Sequence, residues 1–351
     1  MLKPFTNQSP CLPQDPGWDD GFGFGYRELD AFWLARWTQE SGWEAGRLYE
    51  QQGASLELSL AANVLHYGQA IFEGLKAHRT REDKIVLFRA IDNARRMRAS
   101  AARLVMPPLP VDDFVTAVHS VVRANHKWVP GYQKGSFYLR PVMIGTGQVL
   151  GVAPAQEYLF YVFGCPAGQY MGGSRVIVLS AAHRAAPYGT GAAKTAGNYA
   201  GCLRPQKIAK EMGYVDALYL DARDDFYIEE LSGANFFAIL HDGTLVTPEL
   251  GSILPGITRD SVLTVARELF GWLTVERRLS IEEVLSDAVE AFYVGTAAVL
   301  SPVTTINYRG IDYPIADGEP GPRAERLLQA LTAIRLQEQP DHWDWVKEIT
   351  I

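Results

Sequence analysis

The sequence predicts a mixed α/β (α+β) protein built from two domains. The chain has 351 residues, which is more than one ordinary hydrophobic core usually holds and fits two domains. Hydrophobic residues make up 47% and charged residues 21% of the chain, the balance of a soluble globular protein. Short β-branched and aromatic runs alternate with stretches whose apolar residues recur at helical spacing, which predicts strands and helices in both halves.

Residues 1–167 are predicted to form the smaller, N-terminal α/β domain. The run Lys84–Phe88 is short and β-branched, which indicates a strand. Asp92 is a suitable helix N-cap after it, and apolar residues then recur at helical spacing from Ala94 to Leu104. The remaining predicted elements are an amphipathic helix over 111–129 and strands over 135–147 and 157–164.

A loop-like stretch predicts an interdomain linker at 168–181, so that residues 182–351 form the larger C-terminal domain. Within that domain, Asp242-Gly243 between two apolar runs predicts a hairpin, because Asp-Gly supplies the turn geometry. Ser280 and Glu283 predict a capping box at a helix start. The other predicted elements are a helix kinked or started by Pro205, a helix ending on Gly271, strands over 216–222, 224–230 and 290–296, and a last helix over 321–339.

Charge and composition argue against several classes of partner. The net charge is −7 and no long run of lysine and arginine occurs, so nucleic acid is not an expected partner. The cysteines, Cys11, Cys165 and Cys202, are widely spaced, which argues against a disulfide framework or a metal site and fits a reducing cytoplasm. No apolar run is long enough to span a bilayer, and the N-terminus lacks the apolar core of a signal peptide. A cytoplasmic protein without a membrane partner is expected.

Lys194 stands alone among small residues in the stretch Gly189–Gly201, whose nearest charged neighbours are Arg184 and Arg204. Small neighbours let the backbone come close to another group and let an amine be packed on all sides. Burial disfavours the ammonium form of a lysine, and a neutral amine is a usable nucleophile or base. The pattern therefore indicates an imine-forming lysine; the competing interpretation is a flexible glycine-rich loop with an incidental lysine.

Two other stretches place backbone amides where an anion would bind. Gly256-Ile257-Thr258 lies at a predicted helix start, where unpaired N–H groups, the helix dipole and a hydroxyl suit a phosphate. An ordinary N-cap threonine is the competing interpretation. Gly295-Thr296-Ala297 ends an apolar strand, and its amides suit the same anion or a second one. A buried strand that happens to end in small residues explains it equally well.

Charged residues supply two further candidates. Glu229 and Glu230 lie at a strand end, where alternation sends one carboxylate inward, toward a cation such as a protonated pyridine nitrogen. Solvated turn acids are the alternative. Arg95, Arg96 and Arg98 begin a helix and point in different directions, so one is expected to reach a phosphate unless all three form a solvated face. A lysine for an imine, a carboxylate for a ring nitrogen and several phosphate donors together indicate pyridoxal phosphate, which needs all three.

Six motifs in order resemble those of the branched-chain amino acid aminotransferases, which are fold-type IV pyridoxal phosphate enzymes. The resemblance extends from about Phe24 to about Gly321 and implies the two-domain fold-type IV aminotransferase architecture, with pyridoxal 5'-phosphate as cofactor. The motifs are GQAIFEGLKAHR, FYLRPVMIG, AAKTAGNYAG, EELSGANFF, LPGITRDSV and VGTAAVLSPV.

The resemblance implies a role for each cofactor residue. Lys194 corresponds to the catalytic lysine that binds the cofactor and shuttles the proton. Tyr199 corresponds to the tyrosine that contacts the phenolic oxygen, and Glu230 to the carboxylate on the ring nitrogen, which leaves Glu229 facing outward. Arg96 corresponds to the phosphate-binding arginine. The other implied cofactor contacts are Ile257, Thr258, Gly295 and Thr296.

The resemblance also implies the substrate contacts. The amides of Thr296 and Ala297, with the Tyr138 hydroxyl, resemble the site for the substrate carboxylate. In the family a loop of the partner subunit closes the pocket, and Leu150 and Val152 occupy that position, which implies a homodimer. The implied side-chain pocket consists of Phe24, Tyr67, Tyr138 and Arg140.

The reaction implied is reversible transfer of the amino group from L-leucine, L-isoleucine or L-valine to 2-oxoglutarate. An aminodeoxychorismate lyase and a D-amino acid transaminase share the lysine, the acid and the phosphate-binding stretches, and are the alternatives. The segments FEGLKAHR and YLRPV favour the branched-chain transaminase over both. A protein without a cofactor would leave Lys194 and Glu230 without a purpose.

Overall fold

The computed structural model describes residues 2–6, 23–168, 174–179 and 182–351. The chain forms two compact units: the first comprises Met1–Tyr170, Ala193–Ala196 and Ile334–Ile351, and the second comprises Met171–Ala192 and Gly197–Ala333. The linker predicted at 168–181 lies partly outside the described residues, so the predicted domain boundaries stay a prediction. The structure adds that residues 193–196 and the C-terminal 334–351 belong with the first unit.

The first unit contains a sheet of nine strands among the described residues. They are β1 (Ala31–Thr38), β2 (Gly42–Trp43), β3 (Arg47–Glu50), β4 (Ala70–Phe72), β5 (Leu75–Arg79), β6 (Ile85–Phe88), β7 (Ser136–Gly145), β8 (Glu157–Ala167) and β19 (Val346–Ile349). The strands lie in the order β19-β6-β5-β7-β8-β1-β2, with β3 on β1 and β4 on β7. The longest pair, β7 and β8, is antiparallel in register from Ser136↔Ala167 to Gly145↔Tyr158.

The helices α1 (Asn63–Tyr67), α2 (Ala90–Arg103) and α3 (Val111–Ala124) belong to the same unit. The apolar faces of α2 and α3 form one core with β5, β7 and β8, as their helical spacing predicts. One predicted boundary was wrong: α2 begins at Ala90 and Arg89 is its N-cap, so Asp92 lies in the first turn. An acidic residue there still complements the helix dipole. A short 3-10 helix, His126–Trp128, follows α3.

The second unit contains a mixed sheet of ten strands among the described residues. The strands are β9 (Arg175–Ile177), β10 (Asp216–Leu220), β11 (Ile228–Leu231), β12 (Asn235–Leu240), β13 (Leu245–Pro248), β14 (Thr274–Arg277), β15 (Ala288–Gly295), β16 (Val299–Pro302), β17 (Thr305–Tyr308) and β18 (Ile311–Pro314). The order is β14-β13-β12-β11-β10-β9-β17-β18, and β15 pairs with β12 and β16. The predicted hairpin is confirmed, with Ala238↔Val246 in antiparallel register and Gly243 at φ +85° in the turn.

The helices of the second unit are α5 (Ile257–Thr264), α6 (Ile281–Asp287) and most of α4 (Ala196–Glu211) and α7 (Pro322–Arg335). Ser280 caps α6 by accepting the Glu283 N–H, as predicted. After α5 a π-helical turn, Val265–Leu269, leads to Gly271 at φ +64°. Pro205 does not start a helix, because α4 begins at Ala196 and carries the proline in its interior.

The two sheets with their helices confirm the predicted mixed α/β class. In the described ranges no helix is long and apolar enough to cross a membrane. The described residues also hold no group of three or more His, Cys, Asp or Glu side chains suited to a metal ion. Cys11 lies outside the described residues, whereas Cys165 and Cys202 are free thiols.

Candidate active site

Lys194 is anchored to the first unit by hydrogen bonds on both sides of its peptide. Its N–H donates to Oγ of Ser100 over 2.9 Å, and its carbonyl accepts the Phe72 N–H over 3.0 Å. Thr195 forms a β-bridge with Ile71, and its hydroxyl donates to the Ala70 carbonyl over 2.8 Å. The half-buried Nζ of Lys194 lies 4.6 Å from the centroid of the Phe72 ring. The segment is therefore fixed like an added strand on β4 and is not a loose loop.

One face of α2 supports this lysine. Ser100, which receives the Lys194 N–H, lies one turn beyond Arg96 on the helix. The Arg96 guanidinium forms a two-bond contact with the fully buried Glu73, from Nε over 2.8 Å and from Nη2 over 2.7 Å. Asn93 donates to the same carboxylate over 2.8 Å. As predicted, the three arginines of this helix point apart: Arg96 is the one turned inward.

A cavity of about 180 Å³ in the first unit gathers three of the four predicted pocket residues. The rings of Phe24 and Tyr138 meet edge to face, with centroids 4.8 Å apart. Arg140 donates to the Tyr138 hydroxyl over 3.2 Å, and its guanidinium lies 4.9 Å from the centroid of the Phe72 ring. The Nε of Arg140 is buried without a hydrogen-bond partner, and no carboxylate of the described residues pairs with this arginine. Phe163 completes the aromatic wall.

The fourth predicted pocket residue, Tyr67, does not line that cavity. Its hydroxyl donates instead to the carbonyl of Leu150, in the loop between β7 and β8. Leu150 and Val152 are 88% and 90% exposed, which leaves two adjacent apolar side chains in solvent on this chain. The structure thus groups Tyr67 with the predicted dimer loop and not with Phe24 and Tyr138.

In the second unit, Glu230 lies on β11 with its carboxylate 2% exposed. Oε1 accepts hydrogen bonds from Arg184 over 2.7 Å and from the Leu254 N–H over 2.9 Å. Oε2 accepts one from Asn235 over 2.9 Å. A buried carboxylate with a cation and two neutral donors remains ionised.

The prediction that Glu229 faces outward was wrong. Glu229 is 6% exposed and accepts a hydrogen bond from Ser252, while its Oε2 has no partner. Burial raises the pKa of its carboxyl, and the hydrogen bond from Ser252 offsets only part of that effect. Because β11 lies between β10 and β12 inside the sheet, both of its faces are covered, and alternation puts neither acid into water.

Tyr199 and Gly295 lie close to the turn that follows Glu230. The Arg184 guanidinium carbon stands 6.0 Å from the centroid of the Tyr199 ring. A Cβ on Gly233 would lie 3.9 Å from the Tyr199 ring, and a Cβ on Gly295 would lie 3.3 Å from the Gly233 carbonyl oxygen. Thr296 and Ala297 follow Gly295 in the turn to β16 and are half-buried. The second unit therefore brings most of its predicted cofactor residues together.

The start of α5 adds the predicted phosphate cradle to the same cluster. Gly256 is the N-cap, and a Cβ there would stand 2.0 Å from Oδ1 of Asn235, the residue that holds Glu230. This close approach requires glycine. No side chain caps the helix. Thr258, at the second helical position, is 5% exposed, and its hydroxyl makes no hydrogen bond with any described residue.

These features fit a phosphorylated pyridine cofactor. The buried Thr258 hydroxyl without a partner, beside an uncapped helix N-terminus, suits a phosphate. The ionised Glu230 suits a protonated ring nitrogen. Sequence reasoning missed four supporting residues: Phe72, Glu73, Ser100 and Arg184. Phe72 and Glu73 lie inside the quoted FEGLKAHR motif, and Arg184 is the nearest charged residue before Lys194, but only folding shows what they touch.

Comparisons with known proteins define the class. The family described as "Amino-transferase class IV" matches residues 70–306, more than half of the chain, and the chain therefore belongs to that family. It is 44% identical over 342 residues to branched-chain amino acid aminotransferase 2, chloroplastic, of Humulus lupulus, covering 96% of this chain and 82% of the relative. Within the class, the chain is accordingly a branched-chain amino acid aminotransferase.

Solved structures agree with this assignment. The branched-chain amino acid aminotransferase of Escherichia coli superimposes with a TM-score of 0.78 at 30% identity, covering 92% of this chain and 99% of that one. A second branched-chain amino acid aminotransferase, solved with pyridoxamine 5'-phosphate from the organism abbreviated T.th., gives a TM-score of 0.75 at 30% identity, covering 90% and 98%. The fold-type IV architecture and the pyridoxal phosphate cofactor predicted from the motifs are thereby confirmed.

Proposed function

We propose that this enzyme transfers the amino group of L-leucine, L-isoleucine or L-valine to 2-oxoglutarate, reversibly. The observation that carries the proposal is Arg140, a buried guanidinium without a carboxylate partner in an aromatic cavity. Such a pocket must accept an apolar branched side chain in one half of the reaction and a carboxylate in the other. The rings of Phe24 and Tyr138 suit the first, and Arg140 suits the second.

Each predicted residue has a proposed task at a stated atom. Pyridoxal phosphate, when bound, supplies the electron sink that stabilises negative charge at the substrate α-carbon. Lys194 carries the cofactor and, once released, its Nζ takes the α-proton and returns it. Glu230 keeps the ring nitrogen protonated, and the Tyr199 hydroxyl contacts the phenolic oxygen. The phosphate is held by Arg96, Ile257, Thr258, Gly295 and Thr296.

The substrate carboxylate is proposed to bind the amides of Thr296 and Ala297 together with the Tyr138 hydroxyl. The Tyr138 hydroxyl already accepts a hydrogen bond from Arg140, which leaves its proton available to a carboxylate. One tyrosine would thus connect the group that recognises the α-carboxylate with the group that recognises the side-chain carboxylate.

A homodimer completes the proposed site. Leu150 and Val152 are almost fully exposed, and two apolar side chains at a loop tip suit a partner surface. We place this loop over the pocket of the partner subunit, and Tyr67 with it, because the Tyr67 hydroxyl binds the Leu150 carbonyl. The wide cysteine spacing supports a cytoplasmic location, which cell fractionation with an antibody to the protein would test.

Steady-state kinetics of Arg140→Met test the substrate assignment. The Michaelis constant for 2-oxoglutarate should rise about tenfold to a hundredfold, since a hydrogen bond to a charged group contributes roughly 1.5–3 kcal/mol. The constant for the keto acid of leucine should change far less. Arg47→Met is the matched control, because Arg47 also binds a tyrosine hydroxyl, that of Tyr49, but lies on the surface.

An unchanged response of Arg140→Met to 2-oxoglutarate would refute the role of Arg140. Release of pyruvate from aminodeoxychorismate without amino-group exchange would favour the lyase. Exchange with D-amino acids but not with L-leucine would favour the D-amino acid transaminase.

A further inference from the structure

Arg184 is buried directly behind Glu230 in the second unit. Its side chain is 1% exposed, and Nη1 lies 2.7 Å from Oε1 of Glu230. The same nitrogen is 3.4 Å from the Gly191 carbonyl, and Nε is buried without a hydrogen-bond partner. A guanidinium held in so dry a place is costly unless a charge compensates it, and Glu230 is that charge.

Glu230 depends on the same contact. The N–H of Leu254 and the amide of Asn235 also donate to its carboxylate, but both are neutral dipoles. A carboxylate that is 2% exposed takes up a proton when no cation is near, because burial disfavours the ionised form. Arg184 supplies the full positive charge that this carboxylate contacts within the described part of the unit.

Arg184 also reaches a second predicted cofactor residue. Its guanidinium carbon lies 6.0 Å from the centroid of the Tyr199 ring, on α4. Burial pulls the pKa of Arg184 down, but nearby groups, Glu230 first and Tyr199 second, more than offset it, so that its pKa is raised. Arg184 is therefore a permanent cation between the carboxylate proposed for the ring nitrogen and the tyrosine proposed for the phenolic oxygen.

We infer that Arg184 is a positioning residue that keeps Glu230 ionised and aimed at the cofactor's ring nitrogen. The inference rests on the proposed role of Glu230. A neutral Glu230 would no longer favour a protonated ring, and the ring would then withdraw electrons from the substrate less well. Arg184 touches neither substrate nor cofactor in this scheme; it acts through the carboxylate and, more weakly, through Tyr199.

The test uses the dimeric holoenzyme loaded with pyridoxal phosphate labelled with heavy nitrogen in the ring. Nitrogen NMR then reports directly whether the ring is protonated, independently of turnover. In Arg184→Met we expect the signal to move from the protonated toward the unprotonated position, with kcat down by at least about tenfold, the effect of one pKa unit. In Arg184→Lys, which keeps a cation, the signal should stay near the wild-type position.

Arg277→Met is the control for loss of an ion pair. Arg277 pairs with Glu283 in the same unit, away from the predicted cofactor residues, so the ring signal and kcat should be unchanged. If Arg184→Met does not fold, Arg184→Gln keeps a hydrogen-bond donor without the charge and carries the same expectation. A ring signal identical in wild type and in the neutral Arg184 variant would overturn the inference.

Glu230→Gln separates this inference from the proposed function. If that change moves the ring signal and the neutral Arg184 variant does not, only the role of Arg184 fails. If Glu230→Gln leaves the signal in place, the proposed role of Glu230 fails, and the inference about Arg184 fails with it. Both signals moving in the same direction supports both.

Discussion

The backbone N–H of Lys194 donates a hydrogen bond to Oγ of Ser100, 2.9 Å away on α2. Through this contact the lysine segment is fixed to the helix that also carries Arg96. The proposed cofactor lysine and the proposed phosphate arginine are thus held by one rigid element. Precise placement of both ends matters, because small displacements of a catalytic group cost rate.

Ser100→Ala should separate placement from stability. Loss of the acceptor leaves the Lys194 N–H unsatisfied and should cost about 1–3 kcal/mol of unfolding free energy. We expect kcat to fall as well, because the lysine segment loosens. Urea unfolding and steady-state rates measure the two effects. Ser59→Ala is the control, since Ser59 also accepts a backbone N–H, that of Ala61 over 3.2 Å, and should change stability alone. Equal kcat in both variants would contradict the expectation.

Glu73→Gln should weaken cofactor binding through Arg96. Glu73 is fully buried and holds two nitrogens of the arginine, so a neutral side chain there leaves the guanidinium without its counter-charge. Removing one partner of a buried pair typically costs roughly 3–5 kcal/mol of stability. We expect pyridoxal phosphate to bind more weakly, as measured by absorbance titration of the apoenzyme. Asp83→Asn, which removes the surface pair with Arg79, should leave that affinity unchanged.

Lys76 predicts a pH-dependent stability in the first unit. Burial first, and the charge of Arg335 second, lower the pKa of this lysine from 10.5 to about 7. Between those values the unfolded chain binds a proton that the folded chain does not, so stability rises with pH across the window. Below about pH 7 both states are protonated, and the folded protein carries the full cost of a buried ammonium.

Lys76→Met should therefore stabilise the protein most at low pH. We expect a gain on the order of a few kcal/mol below pH 7, which shrinks as the pH approaches 10.5. Denaturant unfolding across that range measures it. Lys84→Met removes an exposed lysine, 47% accessible, and should change the unfolding free energy by less than about 0.5 kcal/mol at any pH. A gain that does not depend on pH would show that charge burial is not its cause.

Subunit mixing tests the proposed dimer loop. A chain with Leu150→Asp and Val152→Asp keeps Lys194, and a Lys194→Ala chain keeps the loop; each homodimer should have little activity. In a mixed dimer, one site has both an intact lysine and an intact partner loop, so activity should return after the subunits exchange. If the loop served the pocket of its own chain, no mixed site would be complete and no activity would return.

Features that depend on neighbouring residues could be predicted from the amino-acid sequence alone. Asp242-Gly243 requires a tight turn, and the runs on either side pair as the hairpin. Helical spacing predicted the buried faces of α2 and α3. The isolated lysine among small residues, and the order of the six motifs, pointed to a pyridoxal phosphate enzyme of the branched-chain class, as the family match and relatives confirm.

Which distant residues meet depended on how the whole chain folds. Alternation along β11 predicts one buried acid, but Glu229 and Glu230 are both buried because strands on either side enclose β11. The lysine segment 193–196 belongs to the first unit, because its backbone groups pair with Phe72 and Ser100. Arg184 compensates Glu230 because chain packing leaves that carboxylate no water to solvate it. Local spacing carries no information about such pairings, since long-range packing and desolvation determine them.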